Sequence, residues 1–329
     1  MIAITGGGTG GHLVIAKAIK EELNKRGIKP IFIGSTYGQD KKWFEFDDGW
    51  EEKYFFDTSG VVNKKGLNKI NSLFNIFKYT IKAKKILKIH NIKKVFSVGG
   101  YSAAPASFAG IDRLYIHEQN AHIGKLNKLL KPFAKRFFST YFNNDPYPVR
   151  DEFFEYARIR KEIKTIIFLG GSQGAKAIND FAFEVAKLNK YNIIHQTGKL
   201  DYNRCKKFYE ENNLNVDFFD FDDNLIEKIN KADFAISRAG ASTLFELVSN
   251  QLPTLFIPYP YAAGNHQYYN AKWLVDKNLA FLSQNPDISI LDKITNIDII
   301  SKNLANINSR DGAKRIVDEL ILNIFDKNS

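Results

Sequence analysis

TGGGTGGH, from Thr5 to His12, and FLGGSQGAKAIND, from Phe168 to Asp180, each place a glycine-rich turn between a short apolar run and an amphipathic helical pattern. Glycine lets backbone N–H groups approach an anion. The helix start behind the turn carries roughly half a positive charge, so either turn can cradle a phosphate without a metal. Two such turns, about 160 residues apart, point to two nucleotide-type domains facing one ligand.

Outward from these turns, apolar strand candidates alternate with helical patterns. They are Ile2 to Thr5, Pro30 to Gly34, Lys94 to Val98, Leu114 to His117, Thr165 to Leu169, Asn192 to His195, Val216 to Phe219, Phe234 to Ser237 and Thr254 to Ile257. Strands alternating with helices predict an α/β fold with parallel sheets. The 329 residues exceed the roughly 250 to 300 at which one core stops growing, and a 44% apolar content can fill two. Asn143 to Arg150 (NNDPYPVR) is the expected boundary, because Pro146 and Pro148 cannot continue an element and a new strand–glycine–helix unit follows. The expected domains are therefore residues 1–150 and 151–310.

The net charge of +11 is local. Ten lysines and no Asp or Glu lie between Lys64 and Lys94, which accounts for nearly all of it. A nearly balanced remainder argues against a nucleic-acid partner, whose groove would need basic residues along its length. From Leu67 the apolar residues 67, 70, 73, 74, 77 and 81 form a helical stripe beside these lysines, and that stripe is either packed core or a surface. A single cysteine, Cys205, leaves no disulfide framework or Cys-rich zinc site and fits a reducing compartment. The start MIAITGGG enters a strand at once and no run of about 18 apolar residues occurs, so a cytoplasmic protein is expected.

Commoner readings compete for the glycine turns. Gly6, Gly8 and Gly11 satisfy G-x-G-x-x-G, but the second strand ends in Gly34 and Ser35 with no acid to hold a ribose, which demotes a dehydrogenase. Gly170 to Gly174 also reads as G-x-S-x-G, so Ser172 with Asp233 and His266 is a hydrolase alternative, without an HGGG-type oxyanion loop. In SRAGASTLFEL, Arg238 and Gly240 precede a helix whose Glu246 can accept both hydroxyls of a ribose while Ser242 and Thr243 donate at its start. In PTLFIPYPYAAGNHQYYNAKWL an irregular loop after a buried strand carries Asn265, His266 and Gln267, where α/β proteins bind sugars and nucleotides. LYIHEQNAHIG sets His117, Glu118, Gln119 and Asn120 just after a strand, and such a His–Glu pair is ordinarily a hydrogen-bonded one. Asp220 and Asp222 form a D-x-D string in an acidic loop, read as a solvated face; no cofactor and no metal site is expected.

Together these residues resemble the MurG family of peptidoglycan glycosyltransferases over most of the chain. GGTGGH at Gly7 to His12, GGY at Gly99 to Tyr101, HEQN at His117 to Asn120, PVR at Pro148 to Arg150, GGSQGA at Gly170 to Ala175, R-x-GA-x-T-x-x-E from Arg238 to Glu246 and HQxxNA from His266 to Ala271 stand in the family's order. The resemblance implies a glycosyltransferase B fold, two Rossmann-like domains across a cleft. The final helix, about Asp311 to Phe325, would rejoin the first domain. It further implies inverting transfer of N-acetylglucosamine from its UDP donor to undecaprenyl-pyrophosphoryl-muramoyl-pentapeptide, with UDP on the second domain. Thr9, Gly10, Gly11, Asn120, Arg150, Ser172, Glu246 and Gln267 match positions that contact the donor, Asp222 the position that meets the uracil edge, and Tyr101, His117 and Glu118 fall to the acceptor side. Three departures stand out: Ile15 where a proline is usual, Asn265 where an acid is common, and Asp222 where an apolar residue is common.

Such a transfer needs a base on the acceptor hydroxyl and charge stabilisation on the departing diphosphate. His12 opens the first helix, whose positive end disfavours protonation and leaves a neutral imidazole to accept a proton near pH 7. It is the candidate base, against the alternative that it only positions substrate. A lipid-linked acceptor lies in an anionic leaflet, so the segment Lys64 to Lys94 is expected to hold the protein peripherally on the inner face of the cell membrane.

Overall fold

The computed structural model describes residues 1–60, 66–222 and 224–322. Lys64, Lys65, the side chains of Leu67 and Lys69, and the stretch from residue 323 to the expected helix end at Phe325 lie outside the described residues. The chain divides into two compact units, Met1–Pro148 with the segment from Asp311, and Val149–Arg310.

In the first unit, strands β1 (Ile2–Thr5), β2 (Ile31–Ser35), β3 (Lys53–Phe56), β4 (Lys94–Ser97), β5 (Leu114–His117) and β6 (Arg136–Phe138) form one sheet in the order β3-β2-β1-β4-β5-β6. All its pairings are parallel. β1 is buried at every position, as a central parallel strand covered on both faces must be. The helix Gly10–Lys25 turns Leu13, Ile15, Ala16, Ile19 and Leu23 inward, so Ile15 is a core side chain. The helix Gly66–Ile89 buries Ala83, Ile86 and Leu87 against Ala106, Leu114, Ile116 and the inner strands. The C-terminal helix Gly312–Ile321 belongs to this unit, burying Ile316, Val317 and Leu320. Arg26 meets Asp318 at 2.6 Å, and the Lys94 ammonium donates to the carbonyls of Glu319 and Leu322 at its end.

The second unit repeats the order. β7 (Thr165–Leu169), β8 (Asn192–Gln196), β9 (Asp217–Phe219), β10 (Phe234–Ser237), β11 (Thr254–Phe256) and β12 (Phe281–Leu282) lie as β12-β11-β10-β7-β8-β9, again all parallel. In either sheet the order reverses beside the first strand, at β1/β4 and at β7/β10. Ligands of open α/β sheets bind at the carboxyl ends of that strand pair. The motifs GGTGGH, GGY, GGSQGA and SRAGAS all follow these four strands.

Candidate functional site

In the first unit the glycine turn leaves β1 with Gly6, Gly7 and Gly8 all at positive φ. A Cβ on Gly6 would stand 2.5 Å from the carbonyl oxygen of Gly99, so the turn has room only for hydrogen there. Two of its amides are used internally: the Gly7 N–H donates to Gly99 O at 3.2 Å, and the Gly8 N–H to a carboxylate oxygen of Asp40. An anion at this turn therefore meets the amides beyond Gly8. Asp40 is a residue that the sequence reading missed. Its second oxygen accepts the Ser35 N–H at 2.9 Å, and burial raises its pKa against the pull of these amide bonds. Its only signal was an acid five residues past the end of β2, in STYGQD. Tyr101 closes over it: a Cβ on Gly8 would meet the Tyr101 ring at 2.8 Å, and burial followed by the nearby Asp40 raises the phenol's pKa.

His12 is the third residue of the helix Gly10–Lys25, and Thr9 is its N-cap. The Thr9 hydroxyl makes no hydrogen bond to the helix amides; it lies 2.8 Å from His12 Nδ1. The Nε2 edge faces Gly99, where a Cβ would come within 3.5 Å. His117, at the end of β5, is 2% exposed, and its Nδ1 has no hydrogen-bond partner among the described residues. Burial, with His12 nearby adding to it, holds this imidazole neutral, with a pKa of about 3. Glu118 braces its own loop, accepting the Asn120 N–H at 3.0 Å and the Gly124 N–H and Asn127 amide at 2.9 Å each. That fixes Asn120 in place and commits both carboxylate oxygens of Glu118 to protein donors.

In the second unit the turn after β7 is held by close backbone approach: a Cβ on Gly198 (φ +74°) would lie 2.0 Å from the Gly174 nitrogen. Ser172 stands exposed at the turn. Beneath it runs a buried relay unforeseen in the sequence. His195 Nδ1 lies 2.7 Å from the Tyr209 hydroxyl and Nε2 2.9 Å from Asn179 Oδ1, and the Asn179 amide donates to Thr197 O and Asp201. Asn179 sits on the helix Lys176–Lys187 that follows the turn, so the network fixes the helix start against β8.

Glu246 lies on the helix Ala241–Ser249, with Ser242 and Thr243 in its first turn. Burial raises the Glu246 carboxyl to about 7, with Arg150 pulling the other way and Glu152 adding to the rise. Arg150 itself pairs with Glu152 at 2.8 Å. Arg238 donates to the carbonyls of Ile257 and Pro258 at 2.9 Å each and lies over the Tyr259 ring, clamping the end of β10 to the loop after β11. Gln267 Oε1 accepts the Tyr259 N–H at 2.9 Å, which leaves the amide's NH2 end as the donor it can offer a ligand. His266 Nδ1 lies 2.9 Å from Ala263 O, so that nitrogen carries a proton and donates to the carbonyl. Asn265 takes a left-handed φ of +53°, a conformation that asparagine tolerates better than an acid with a longer chain. Asn270 of the same motif holds Ala239 O at 3.1 Å, a role that sequence spacing did not disclose.

The hydrolase alternative falls on this geometry. Asp233 accepts the N–H groups of Lys164 and Thr165 at the entrance of β7, whereas Ser172 follows the exit of that five-residue strand, about 16 Å away at 3.3 Å per residue. Ser172, Asp233 and His266 therefore form no triad. Asp220 and Asp222 each accept a nearby backbone N–H, from Phe221 and Asn224. Among the described residues no group of three His, Cys, Asp or Glu side chains could hold a metal ion.

The helix Gly66–Ile89 decides its own two readings. Ile70, Leu73, Phe74, Phe77 and Ile81 are each at least half exposed, while Ser72, Ala83, Ile86 and Leu87 face the core. The apolar stripe is thus a surface, covering an arc of roughly 100° opposite the buried side. No helix among the described residues is long and apolar enough to cross a membrane.

Comparison with known proteins follows the same division. Residues 2–139 match the glycosyltransferase family 28 N-terminal domain and residues 165–320 its C-terminal domain. The chain is 53% identical over 312 residues to the UDP-N-acetylglucosamine--N-acetylmuramyl-(pentapeptide) pyrophosphoryl-undecaprenol N-acetylglucosamine transferase of Wolinella succinogenes, covering 92% of this chain and 93% of that protein. It is 52% identical to the identically named protein of Campylobacter jejuni, with 97% of each covered. Among solved structures, MurG of Acinetobacter baumannii superposes with a TM-score of 0.78 at 26% identity, over 97% of this chain and 98% of that one. A UDP-GlcNAc 2-epimerase of Neisseria meningitidis bound to UDP-GlcNAc shares the fold, with a TM-score of 0.63 at 15% identity over 98% of this chain and all of the other.

Proposed function

The chain belongs to glycosyltransferase family 28, and from that premise we propose how its residues divide the work of moving N-acetylglucosamine from UDP-N-acetylglucosamine to pyrophosphoryl-undecaprenol-linked N-acetylmuramyl-pentapeptide. It is a UDP-N-acetylglucosamine-dependent glycosyltransferase of peptidoglycan synthesis with a glycosyltransferase B fold.

The Val149–Arg310 unit takes the donor. The observation that carries this reading is the gathering of Ser172, Glu246 and Gln267 at the carboxyl edge of one sheet, each on the turn, helix or loop that follows β7, β10 or β11. Ser172 and the turn amides meet the diphosphate, Glu246 accepts the ribose hydroxyls, and the Gln267 amide donates to the sugar or phosphate. Arg238 acts one step back, by shaping the loop that carries Tyr259 and leads into the helix His266–Val275, where Gln267 sits. Asp222, with its carboxylate on the Asn224 N–H, offers backbone rather than side chain to the uracil.

The first unit takes the acceptor and the proton. The acceptor hydroxyl attacks the anomeric carbon in line while the bond from that carbon to the diphosphate oxygen breaks, with inversion. His12 takes the hydroxyl proton, and UDP leaves as an anion stabilised by helix amides. His117, buried and neutral, keeps a second positive charge away from His12 and shapes the acceptor side with Tyr101.

The exposed stripe of the helix Gly66–Ile89, with Lys78, Lys82, Lys84, Lys85 and Lys88 exposed beside it, docks on anionic lipid and holds the enzyme at its lipid-linked acceptor on the inner face of the membrane. The test is incubation with radiolabelled UDP-N-acetylglucosamine and the lipid-linked muramyl-pentapeptide. Label is expected in the lipid product. Transfer only to a different glycolipid would reassign the acceptor, and UDP binding without transfer would leave a binding module.

A further inference from the structure

Helix physics alone does not explain the pair Thr9–His12. A threonine at an N-cap ordinarily accepts the N–H of the second or third helical residue, a contact that stabilises the helix by about 1 kcal/mol. Thr9 forgoes it: its backbone is extended as a cap requires (φ −132°, ψ 154°), yet its hydroxyl makes no cap bond and lies 2.8 Å from His12 Nδ1. His12 occupies the third helical position, where a capping box would carry Glu or Gln reaching back to the cap. Gly10 and Gly11, between them, bring no side chain that could compete. The arrangement gives up a stabilising contact and orients an imidazole instead.

We propose that Thr9 is the positioning residue of His12, accepting the Nδ1 proton so that the unprotonated Nε2 edge, over Gly99, is the one presented for proton abstraction. This rests on His12 being the base. The direction of the bond follows from the surroundings. Thr9 is exposed, so its own hydroxyl proton is satisfied by solvent. The positive helix end disfavours a second proton on the ring. A neutral imidazole in water favours its proton on Nε2, so a partner at Nδ1 is what selects the other tautomer, the logic by which a third group orients the base of a catalytic triad.

The test uses the full chain labelled with 15N-histidine, the His12 resonances being identified by their loss in His12→Gln. The wild type is expected to carry the proton on Nδ1, and Thr9→Val to move it to Nε2, with Thr9→Ser keeping the wild-type tautomer. In parallel, Thr9→Val should lower kcat by about tenfold to a hundredfold with the KM for UDP-N-acetylglucosamine within about twofold, and Thr9→Ser should restore most of it. A proton on Nε2 in the wild type, or an unchanged tautomer in Thr9→Val, overturns the proposal. So does a raised donor KM at unchanged kcat, which would make Thr9 a donor ligand. Should His12→Gln keep its turnover while the tautomers behave as expected, Thr9 still positions His12 and it is the base assignment that falls.

Discussion

The carboxylate of Asp40 accepts the backbone N–H of Gly8, so the first glycine turn is braced by a buried acid rather than left open to an anion along its whole length. With Ser35 N–H on the other oxygen, Asp40 ties the exit of β1 to the exit of β2. Asp40→Ala leaves the buried Ser35 amide and the half-buried Gly8 amide without their partner, at about 1 to 2 kcal/mol for the first and less for the second, and should destabilise the first unit by about 2 to 3 kcal/mol. Asp40→Asn, which keeps one acceptor oxygen, should lose about half of that. Urea unfolding of the three proteins checks the order; an alanine variant as stable as the parent would remove the brace.

Glu246 makes donor binding depend on pH. Its carboxyl is raised to about 7 by burial, and hydroxyl donors of a ribose bind the ionised form. Affinity for UDP-N-acetylglucosamine should therefore fall by up to about tenfold for each unit of pH below about 7, and should be weaker but flat across that range in Glu246→Gln. Without ligand the sign is opposite. A carboxyl whose folded pKa lies above its unfolded one contributes stability that is present below about 4.5 and is lost as the pH rises through about 7. Glu246→Gln should therefore match the parent's stability near pH 4.5 and exceed it by about 3 kcal/mol near pH 8. Calorimetric titration and thermal melts at both ends read the two effects, and a pH-independent donor affinity in the parent would take Glu246 out of the ribose site.

His12→Ala should lower kcat by about a hundredfold while leaving UDP affinity within a few fold, because a base acts in the transition state and adds little to donor binding. Steady-state kinetics with varied donor separates the two constants. A loss below about tenfold would move the proton to another group.

The C-terminal helix is a structural part of the first unit. Ile316, Val317 and Leu320 are buried there, and three such side chains contribute about 5 to 8 kcal/mol, most of the net stability of a domain. Ending the chain at Arg310 should abolish the first unit's cooperative melt while the Val149–Arg310 unit still unfolds cooperatively and binds UDP. Circular dichroism melts with a UDP titration test it, and a full-length melting profile in the truncated chain would refute it.

What the sequence disclosed follows burial. Leu114–His117, Thr165–Leu169 and Phe234–Ser237 were legible to the residue because inner parallel strands are covered on both faces and read as unbroken apolar runs. The strands that went unread, Lys53–Phe56, Arg136–Phe138 and Phe281–Leu282, each lie at a sheet edge, where one side is unpaired, cover is partial and a charge or a two-residue length breaks the run. At the site, glycine spacing and motif order disclosed the turns and Glu246. Asp40, Asn179, His195 and Asn270 were hidden because, Ser35 apart, their partners are 14 to 32 residues away in sequence and are backbone or polar groups without a motif of their own. The stripe on the helix Gly66–Ile89 could be read either way, since an apolar helical face looks the same whether it meets a core or a membrane.

That stripe gives the last prediction. Replacing Lys78, Lys82, Lys85 and Lys88 by Gln removes four charges at about 1 kcal/mol each and should cut partitioning onto anionic vesicles by about several hundredfold, with raised salt producing the same loss in the parent. Replacing Phe74 and Phe77 by Ser should also release the protein, but by an amount that added salt leaves nearly unchanged, because the exposed rings insert by the hydrophobic effect rather than by charge. Phe74 and Phe77 point away from Ala83, Ile86 and Leu87, while Lys78 and Lys82 lie over the Tyr79 and Phe56 rings at 5.7 and 5.6 Å, contacts of about 0.5 to 1 kcal/mol at exposed sites, so turnover of a short, water-soluble acceptor should stay near the parent's while transfer to a long-chain lipid acceptor slows. Vesicle sedimentation at low and high salt decides between the two forces. If both variants bind anionic vesicles as the parent does, the helix does not dock on the membrane and the stripe must be covered by something else.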